Sequence, residues 1–316
     1  MPQRTRGAQG KAWNAENAEV SRRGQRNPLT AKFAKDREGR EEKRSTSAEA
    51  SVGHVPKRHV RSRRDMTDQN KPQVIGALPE GAHDRASAAR AVREMFSAIA
   101  PRYDLLNHVL SFNIDRWWWR RTARTFSEIL SRGDSRILDL CCGTGDMAFA
   151  LERQAGRSGA RIFGADFAHP MLERAAGKSN GASPGWVEAD ALNLPFPDGS
   201  FDLVTSAFGF RNLADYDAGL REIVRVLRPG GELGILECSE PDGMIGKLYG
   251  VYFRRVLPAV GTAISGVKGA YSYLPASVGR FPAASEMLER MRAAGFREAS
   301  WTPYTFGTAG LYRGRK

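Results

Sequence analysis

The sequence has 316 residues, with 48 Lys and Arg against 35 Asp and Glu, a net charge of +13, and 41% hydrophobic residues. This length suits one large domain or two small ones with a substantial core. Three cysteines, Cys141, Cys142 and Cys238, exclude a disulfide framework and lack zinc-ligand spacing, so we expect reduced thiols in a cytosol-like compartment and no metal site. No apolar run reaches about 18 residues and no signal-peptide core is present, which excludes a membrane-spanning segment and argues against secretion.

The positive charge is concentrated near the N-terminus. Residues 1–64 contain 17 Lys and Arg and 7 Asp and Glu, or +10, whereas residues 65–316 contribute +3. Because large apolar residues are sparse there and show no sustained period, we predict that residues 1–65 form a disordered basic extension. A solvated charge run without a specific role is the interpretation we favour, with nucleic acid, anionic lipid or a transit function as alternatives.

From Ser135 onward, short apolar segments alternate with segments of helix length. The predicted strands are 136–140, 161–166, 185–190, 201–208 and 231–238, and the predicted helices between them are 146–154, 170–178 and 215–227. A further helix (285–296) and two β-like pieces (297–304, 310–316) follow. This pattern predicts an α/β fold with a doubly wound, mostly parallel sheet covered on both faces. We divide the folded part into an N-terminal helical cover, 66–134, and a core domain, 135–316, with an insertion near 242–282.

The loop after the first predicted strand has the composition of a nucleoside-binding turn. Gly143 and Gly145 let the backbone turn sharply and approach a ligand. The second predicted strand ends at Asp166, 21 residues beyond Gly145, where a carboxylate accepts hydrogen bonds from ribose hydroxyls. A dinucleotide fits this spacing, but the carboxylates of Asp139 and Asp146 repel a pyrophosphate and tolerate a sulfonium. The loop therefore favours S-adenosylmethionine (SAM) over NAD, with an ordinary strand–helix turn as the alternative.

Several separated blocks resemble a known family. They are MFSAIAPRYDLLNHVLSFNIDRWW (95–118), LDLCCGTGDMA (138–148), EADALNLPFPDGSFD (188–202), FGFRNLAD (208–215), RVLRPGG (225–231), LECSEP (236–241) and YSYLPASVGRFP (271–282). The chain is similar to the class I SAM-dependent methyltransferases, and more narrowly it resembles the ubiquinone/menaquinone biosynthesis C-methyltransferases from about Val92 onward. The resemblance implies a Rossmann-like fold, SAM as methyl donor, and ring methylation of a polyprenylated quinol, with demethylmenaquinol as the first candidate.

The resemblance also implies roles for individual residues. The cofactor-binding residues predicted from the loop and from the family pattern are Asp139, Gly143, Thr144, Gly145, Asp166, Asp190, Ala191 and Ala207. Ala207 stands where the family commonly has Ser, so a contact there comes from the backbone. Asp115 stands where the family often has His, so the role of that His does not transfer to this chain.

The catalytic candidates follow from the chemistry. A quinol becomes nucleophilic at carbon when its hydroxyl loses a proton, so the site must accept the proton or stabilise the phenolate. Arg211 and Asn212 follow the fourth predicted strand, and we expect Arg211 to stabilise the oxyanion and Asn212 to orient it. Arg stays protonated, so any base role would pass through water. Tyr103 and Asp104 are the other polar candidates; a salt bridge for Arg211, and capping or packing for the other two, are the alternatives.

Two apolar stretches suit a long apolar substrate. Met244–Val260 is interrupted by three cations, and we predict a lid over a polyprenyl tail that rests on a membrane surface, with ordinary helix cover as the alternative. Trp117, Trp118 and Trp119 cannot all face one way on a helix, so at least one is expected near the surface, at the entrance. The expected location is cytoplasmic, peripheral at the inner face of the membrane.

Two other functions remain open. One is a SAM-dependent methyltransferase acting on another small molecule or on RNA, although residues 208–211 read Phe-Gly-Phe-Arg where nucleobase methylation often uses an Asn/Asp-Pro-Pro-aromatic tetrad. The other, a non-enzymatic nucleic-acid binder, leaves the glycine loop unexplained, so we predict no specific nucleic-acid partner. Residues 66–96 read like a leader of the family, and we expect Met66 to be the physiological start. The acceptor ring, the tail length and the oligomeric state stay open.

Overall fold

The computed structural model describes residues 75–179, 184–241, 243–265 and 270–316. The basic extension predicted for residues 1–65, and the start predicted at Met66, lie outside these described residues. Seven strands form one sheet in the order β3-β2-β1-β4-β5-β7-β6. Their bounds are β1 Arg136–Leu140, β2 Arg161–Asp166, β3 Gly185–Glu188, β4 Phe201–Ala207, β5 Leu227–Cys238, β6 Arg297–Tyr304 and β7 Ala309–Arg315.

Helices precede, connect and follow these strands. Before β1 lie α1 Arg85–Ile99, α2 Tyr103–Leu110, α3 Ile114–Thr125 and α4 Ser127–Leu130; between strands lie α5 Asp146–Ala155, α6 His169–Lys178 and α7 Tyr216–Val226. After β5 come α8 Gly243–Val251, a π-helical turn Tyr252–Val256, α9 Leu257–Ser265, α10 Ala270–Arg280 and α11 Ala284–Ala294. Across the described part of the chain, no helix is long and apolar enough to cross a membrane.

Five strands are parallel, and the order of connection reverses beside β1. β1 pairs with β2 in the register Ile137↔Ile162 and with β4 in the register Ile137↔Leu203, both parallel. β7 is antiparallel to β5 and to β6. The chain therefore winds outward from β1 to β3 and returns on the other side of β1 to β4 and β5. The predicted doubly wound, mostly parallel sheet is confirmed.

Both faces of the sheet are covered by apolar side chains. Ile137 and Leu138 are adjacent on β1 and both are fully buried, yet they belong to different core clusters. Ile137 packs in the cluster that contains Phe126, and Leu138 in the cluster that contains Leu220. Alternate residues of one strand thus face opposite layers, which is why this strand reads as a continuous apolar run.

The largest departure from the predicted elements is at the start of β5. The helix α7 ends at Val226 and β5 begins at once at Leu227, four residues before the predicted strand. Two pairings explain the difference: Leu227 pairs with Phe201 of β4 before a bulge, and the last residue of the chain pairs with Gly230 and Gly231. Gly230 donates its N–H to the carbonyl of Lys316 at 2.9 Å, and Lys316 donates its N–H to the carbonyl of Gly231 at 2.9 Å. Pairing with the C-terminus extends the strand through a segment that by itself predicts a turn.

Trp186 of β3 occupies space that two glycines leave open. A Cβ built on Gly164 of β2 would lie 2.5 Å from the Trp186 ring, and a Cβ on Gly145 would also lie 2.5 Å from it. Gly145 in addition has φ +87°, a left-handed conformation that disfavours other residues. The Trp186 ring fills the space beside Gly164 of β2 and Gly145 of the loop after β1. A larger residue at either position would therefore collide with the ring.

We expect Gly164→Ala to lower the free energy of unfolding by about 1–3 kcal/mol, the usual cost of overpacking a rigid core. Gly177→Ala on α6 is the matched control, because nothing lies within 4 Å of its Cβ position and alanine favours the helix. The control should leave stability equal or slightly higher. Chemical denaturation of both variants measures the difference, and equal stability of the two would contradict the packing role of Trp186.

Candidate functional site

A cleft of about 1010 Å³ opens at the carboxyl ends of β1, β2 and β4. Its floor is formed by the loops that follow these strands, and its cover by the N-terminal helices through Phe96, Tyr103, Asn107 and Trp119. This is the place where the strand order reverses, and open α/β sheets bind their ligands there.

Asp166 at the end of β2 ties the glycine loop to the start of α6. Its Oδ2 accepts the N–H of Gly143 at 2.9 Å, and its Oδ1 accepts the N–H of Ala168 at 2.9 Å. Burial raises the pKa of this carboxyl group, while the backbone donors act in the opposite direction. Gly143 has φ +54°, and so does its neighbour Cys141, so the loop is held in a left-handed turn that glycine permits.

Asp139 on β1 is a fully buried carboxylate with one unused oxygen. Its Oδ1 accepts the hydroxyl of Thr205 at 2.9 Å, whereas its Oδ2 has no hydrogen-bond partner among the described residues. Burial raises the pKa of Asp139 to about 7. Because buried polar oxygens are rarely left unpaired, Oδ2 marks a point where a ligand or water donor fits the cleft.

A charged network joins the cover to the glycine loop. Thr144 donates its hydroxyl to Asp104 Oδ1 on α2. Lys178 Nζ lies 2.8 Å from Asp104 Oδ2 and 3.1 Å from Asp146 Oδ1. Burial raises the pKa of Asp146, and the ammonium of Lys178 lowers it. The sequence nominated Asp104 and missed Lys178, since the two lie 74 residues apart and α6 gives no sign of facing α2.

The remaining predicted cofactor residues follow β3 and end β4. Asp190 is exposed and accepts the N–H of Leu192 on its Oδ1 at 2.9 Å, while Ala191 is buried. Ala207 is the last residue of β4. All three line the cleft. Because β3 and β4 lie on opposite sides of β1 in the sheet, Asp190 and Ala191 are on one side of the glycine loop and Ala207 is on the other.

The charge of the lining is strongly one-sided. Four aspartates line the cleft, and no Lys, Arg or His does so within the ranges that the structure describes: the four are Asp139, Asp146, Asp166 and Asp190. A pyrophosphate would meet repulsion there, whereas a cation would be attracted. The sequence argument against a dinucleotide used only Asp139 and Asp146, and the charge of Asp146 is partly neutralised by Lys178. With all four aspartates in the lining, the repulsion of a pyrophosphate is stronger than those two residues alone predict.

Arg211 lies behind the cleft in a buried ion pair rather than in its lining. Its Nη1 is 2.9 Å from Glu237 Oε2 and also donates to the carbonyl of Phe208, and its backbone N–H donates to Glu237 Oε1 at 3.0 Å. Burial works against the charged guanidinium, but the Glu237 carboxylate outweighs it, so the pKa of Arg211 is raised. The salt-bridge alternative holds, with Glu237 as a partner that sequence reasoning missed.

Asn212 and Tyr103 bring polar groups into the cleft beside Arg211. Asn212 Oδ1 accepts the hydroxyl of Tyr273 on α10 at 3.1 Å. Burial raises the pKa of Tyr103 to about 12, and a hydrogen bond from Asn107 and the charge of Arg211 act in the opposite direction. The positive charge of Arg211 therefore acts on the pKa of Tyr103, a side chain that lines the cleft, although the guanidinium itself is paired with Glu237.

Nine of the eleven predicted site residues line the cleft; the two that do not are Arg211 and Gly145. Gly145 serves the turn and the packing of Trp186. Of the three tryptophans, Trp117 is 46% exposed while Trp118 and Trp119 are buried, so the prediction of one near the surface is confirmed. Aromatic lining by Phe96, Trp119 and Phe208 was not predicted, because it comes from distant segments.

The fold is shared with a solved protein of low sequence identity. A SAM-dependent methyltransferase from Thermotoga maritima, described as a possible histamine N-methyltransferase, superposes with a TM-score of 0.52 at 20% identity. The match covers 71% of this chain and 99% of that protein. This likeness supports the methyltransferase fold alone.

Sequence comparison identifies much nearer relatives. The demethylmenaquinone methyltransferase of Deinococcus radiodurans is 46% identical over 79% of this chain and 100% of its own length. The enzyme of the same name from Thermus thermophilus is 52% identical over 70% of this chain and 99% of its own length. The ubiquinone/menaquinone biosynthesis C-methyltransferase of Geobacter sulfurreducens is 44% identical over 71% of this chain and 88% of its own length. The sequence model of the ubiE/COQ5 methyltransferase family matches residues 84–316, and the chain belongs to that family of enzymes.

Proposed function

We propose that the chain catalyses SAM-dependent C-methylation of the ring of a polyprenylated quinol, with demethylmenaquinol as the substrate. The observation that carries the proposal is the cleft itself, whose lining has four aspartates and no cationic side chain in the described residues. A sulfonium fits such a lining electrostatically. The names of the curated relatives support the choice of a quinol acceptor.

The residues present fit the methyl donor. The carboxylate of Asp166 would accept the ribose hydroxyls, and the turn at Gly143 leaves room for backbone approach, since a Cβ there would meet only Tyr103 at 3.8 Å. The unpaired Oδ2 of Asp139 offers an acceptor deep in the cleft. Asp190 and Ala191 would meet the adenine. When bound, SAM supplies an electrophilic methyl group on a positively charged sulfur.

The chain's own residues prepare the acceptor. Tyr103, whose pKa burial raises to about 12, keeps its hydroxyl proton near neutral pH and can donate a hydrogen bond to a quinol oxygen. The charge of Arg211 stabilises the phenolate that forms as the hydroxyl proton leaves through water. Asn212, fixed by Tyr273, orients the same oxygen. Aromatic side chains of the cover, Phe96 and Trp119, exclude water from the ring.

The α8–α10 region gives the isoprenoid tail a place to lie. Tyr273 of α10 reaches Asn212 directly, so the insertion after β5 borders the acceptor side of the cleft. Phe253 and Leu257 are buried in a cluster that also contains Leu106 of α2. An apolar tail leaving the ring would pass along the outside of this packed contact between α2 and the insertion, where further apolar side chains are exposed.

The proposed function is tested by profiling quinones in cells that lack the protein. We expect a quinone lacking one ring methyl to replace the methylated one, and its mass also gives the tail length. Restoring the wild-type chain should restore the methylated quinone. An unchanged quinone profile in the deletion strain would contradict quinol methylation and favour another acceptor.

We expect Asp166→Ala to weaken SAM binding by one to two decades. Two hydrogen bonds from ribose hydroxyls to a carboxylate are worth roughly 1.5–3 kcal/mol together, and the variant also releases the glycine loop that Asp166 holds. Asp217→Ala on α7 is the control, because Asp217 pairs with Arg290 outside the cleft. Calorimetry on folded protein measures both; wild-type affinity in Asp166→Ala would refute the assignment.

Arg211 needs a paired design because its removal leaves Glu237 buried and alone. We expect Arg211→Ala to destabilise the fold by about 3–5 kcal/mol, the usual consequence of an uncompensated buried charge. Arg211→Met combined with Glu237→Gln should recover much of that stability. The double variant should still turn over roughly 100-fold or more slowly, the size typical of losing an oxyanion contact, while SAM affinity stays within about threefold.

The two variants separate the roles of Arg211. Thermal unfolding reports the stability of each, calorimetry the SAM affinity, and methylation assays the turnover. Normal turnover in the double variant would remove Arg211 from the mechanism. Loss of SAM binding in that variant would assign the guanidinium to the cofactor side of the cleft.

A further inference from the structure

Exposed apolar side chains are concentrated in three short segments. Of the twelve large hydrophobic residues exposed in the described part of the chain, ten lie in residues 105–117, in residues 244–260 or at position 306. The three most exposed are Met244 at 85%, Phe306 at 81% and Phe112 at 72%. Single exposed apolar residues are ordinary on a protein surface, but a concentration of this kind marks an interaction site.

The three segments meet at the edge of the molecule where the cleft opens. The pairing Cys238↔Ala309 places the turn before β7 at the carboxyl end of β5. Within that turn Thr305 accepts the indole N–H of Trp118 at 2.8 Å, which joins it to α3. The turn also approaches the start of α8, since a Cβ on Gly307 would lie 3.6 Å from Pro241.

The insertion contacts the N-terminal helices at the same edge. The rings of Phe112 and Tyr252 are 5.9 Å apart, and Tyr252 donates its hydroxyl to the carbonyl of Leu110 at 2.8 Å. We call the joint face formed by Leu105, Val109, Phe112, Met244, Val251 and Phe306 the rim surface. All six side chains are exposed. The rim surface therefore combines both segments and the turn beside the cleft.

Two residues of the rim surface have an unfavourable backbone conformation. Phe112 has φ +53° and Phe306 has φ +58°, conformations that bulky residues rarely adopt. Both side chains are mostly exposed, and the contact of Phe112 with Tyr252 leaves most of its ring open to solvent, so packing within the chain offsets little of the strain. Strained residues that the fold does not use cluster at sites of ligand or partner contact. The strain thus points to a partner outside the chain.

α2 presents apolar side chains on two sides. Leu106 is fully buried, and Tyr103 and Asn107 line the cleft. Leu105 and Val109, one helical turn apart, are 57% and 42% exposed on the outer side. A single eight-residue helix therefore separates the cleft from the rim surface.

The helical segments that carry the rim surface also carry cations. Residues 105–125 and 243–265 together contain seven Lys and Arg and one acid, Asp115, which is buried and lies 2.8 Å from His108. Arg254, one of the seven, pairs with Glu240 just outside the second range. The exposed arginines of these segments include Arg116, Arg120 and Arg255. Apolar residues with a cationic fringe fit the headgroup region of an anionic bilayer.

We propose that the rim surface docks the enzyme on an anionic phospholipid bilayer, with Phe112 and Phe306 inserted among the acyl chains and the arginines at the phosphates. This inference rests on the proposed function only for the substrate, since a polyprenylated quinol resides in the bilayer. Docking at this face brings the mouth of the cleft to the membrane. The quinol ring then enters past α2 while its tail remains in or near the lipid.

The test is sedimentation of the full chain with vesicles of phosphatidylglycerol and phosphatidylcholine in equal parts. Phe112→Asn combined with Phe306→Asn should weaken binding roughly tenfold or more, because two large apolar side chains are lost. Asparagine tolerates the left-handed backbone, so the fold should be at least as stable as the wild type. Unchanged vesicle binding in this folded variant would overturn the proposal.

The arginine contribution has a matched control on the opposite edge of the sheet. Arg116→Gln with Arg255→Gln should weaken binding to these vesicles on the order of tenfold and leave binding to pure phosphatidylcholine unchanged. Arg297→Gln with Arg315→Gln removes the same charge where β6 begins and β7 ends, at the amino edge, and should have little effect. Residues 1–64, which carry +10, are identical in every variant and cancel from the comparison. Equal losses in the two pairs would mean that net charge alone drives binding.

Two further outcomes distinguish this proposal from its alternatives. One alternative is that the rim surface is an interface between two copies of the chain. If the wild type forms dimers and does not bind vesicles, and the double asparagine variant is monomeric, this alternative holds and the proposal is wrong. On a short-tailed, water-soluble quinol, the asparagine variant should turn over as the wild type does and lose activity only on quinol in vesicles. Vesicle binding without methylation of any quinol would overturn the proposed function and leave the docking surface standing.

Discussion

The buried ion pair between Arg211 and Glu237 determines the geometry of the acceptor side of the cleft. Burying two charges is costly unless each is fully paired, and here the carboxylate accepts both a side-chain and a backbone N–H of Arg211. That double contact fixes the turn Phe210–Asn212 against β5. Asn212 can then face the cleft and meet Tyr273 of the insertion. One salt bridge therefore links the end of β4, β5, the insertion and the cleft.

The side of the cleft around the glycine loop is lined by negatively charged side chains. Four aspartates converge there, from β1, from the start of α5, from the end of β2 and from the segment after β3. Burial raises the pKa values of Asp139, Asp146 and Asp166. Like charges brought together in a poorly solvated place destabilise the folded protein, and a bound cation relieves that repulsion. The function that we propose uses this difference: the sulfonium would lie among the aspartates, and the phenolate would lie on the side behind which Arg211 is buried.

Local sequence patterns predicted the strands near the cleft well and the long-range contacts poorly. β1 and β2 have the predicted bounds because each apolar run begins at an arginine, and because the glycine loop ends the first run and Asp166 the second. The early start of β5 depends on the pairing of Leu227 with Phe201 and on Lys316, 86 residues beyond Gly230, and no local pattern contains either contact. Glu237 lay unrecognised inside an apolar strand, although a lone acid in a buried strand requires a cationic partner. Gly145 was assigned to the ligand because packing by Trp186, 41 residues away, is not visible in the loop.

The helix α2 contributes to the charged network, to the lining of the cleft and to the rim surface. Asp104 joins it to the glycine loop through Thr144 and to α6 through Lys178. Tyr103 lines the cleft, and Leu105 is exposed on the outer side. Leu105, on the outer side that we propose to contact lipid, is the next residue to Asp104, whose carboxylate pairs with Lys178. The proposed docking surface and the charged network that holds the cover against the glycine loop are therefore parts of one eight-residue helix.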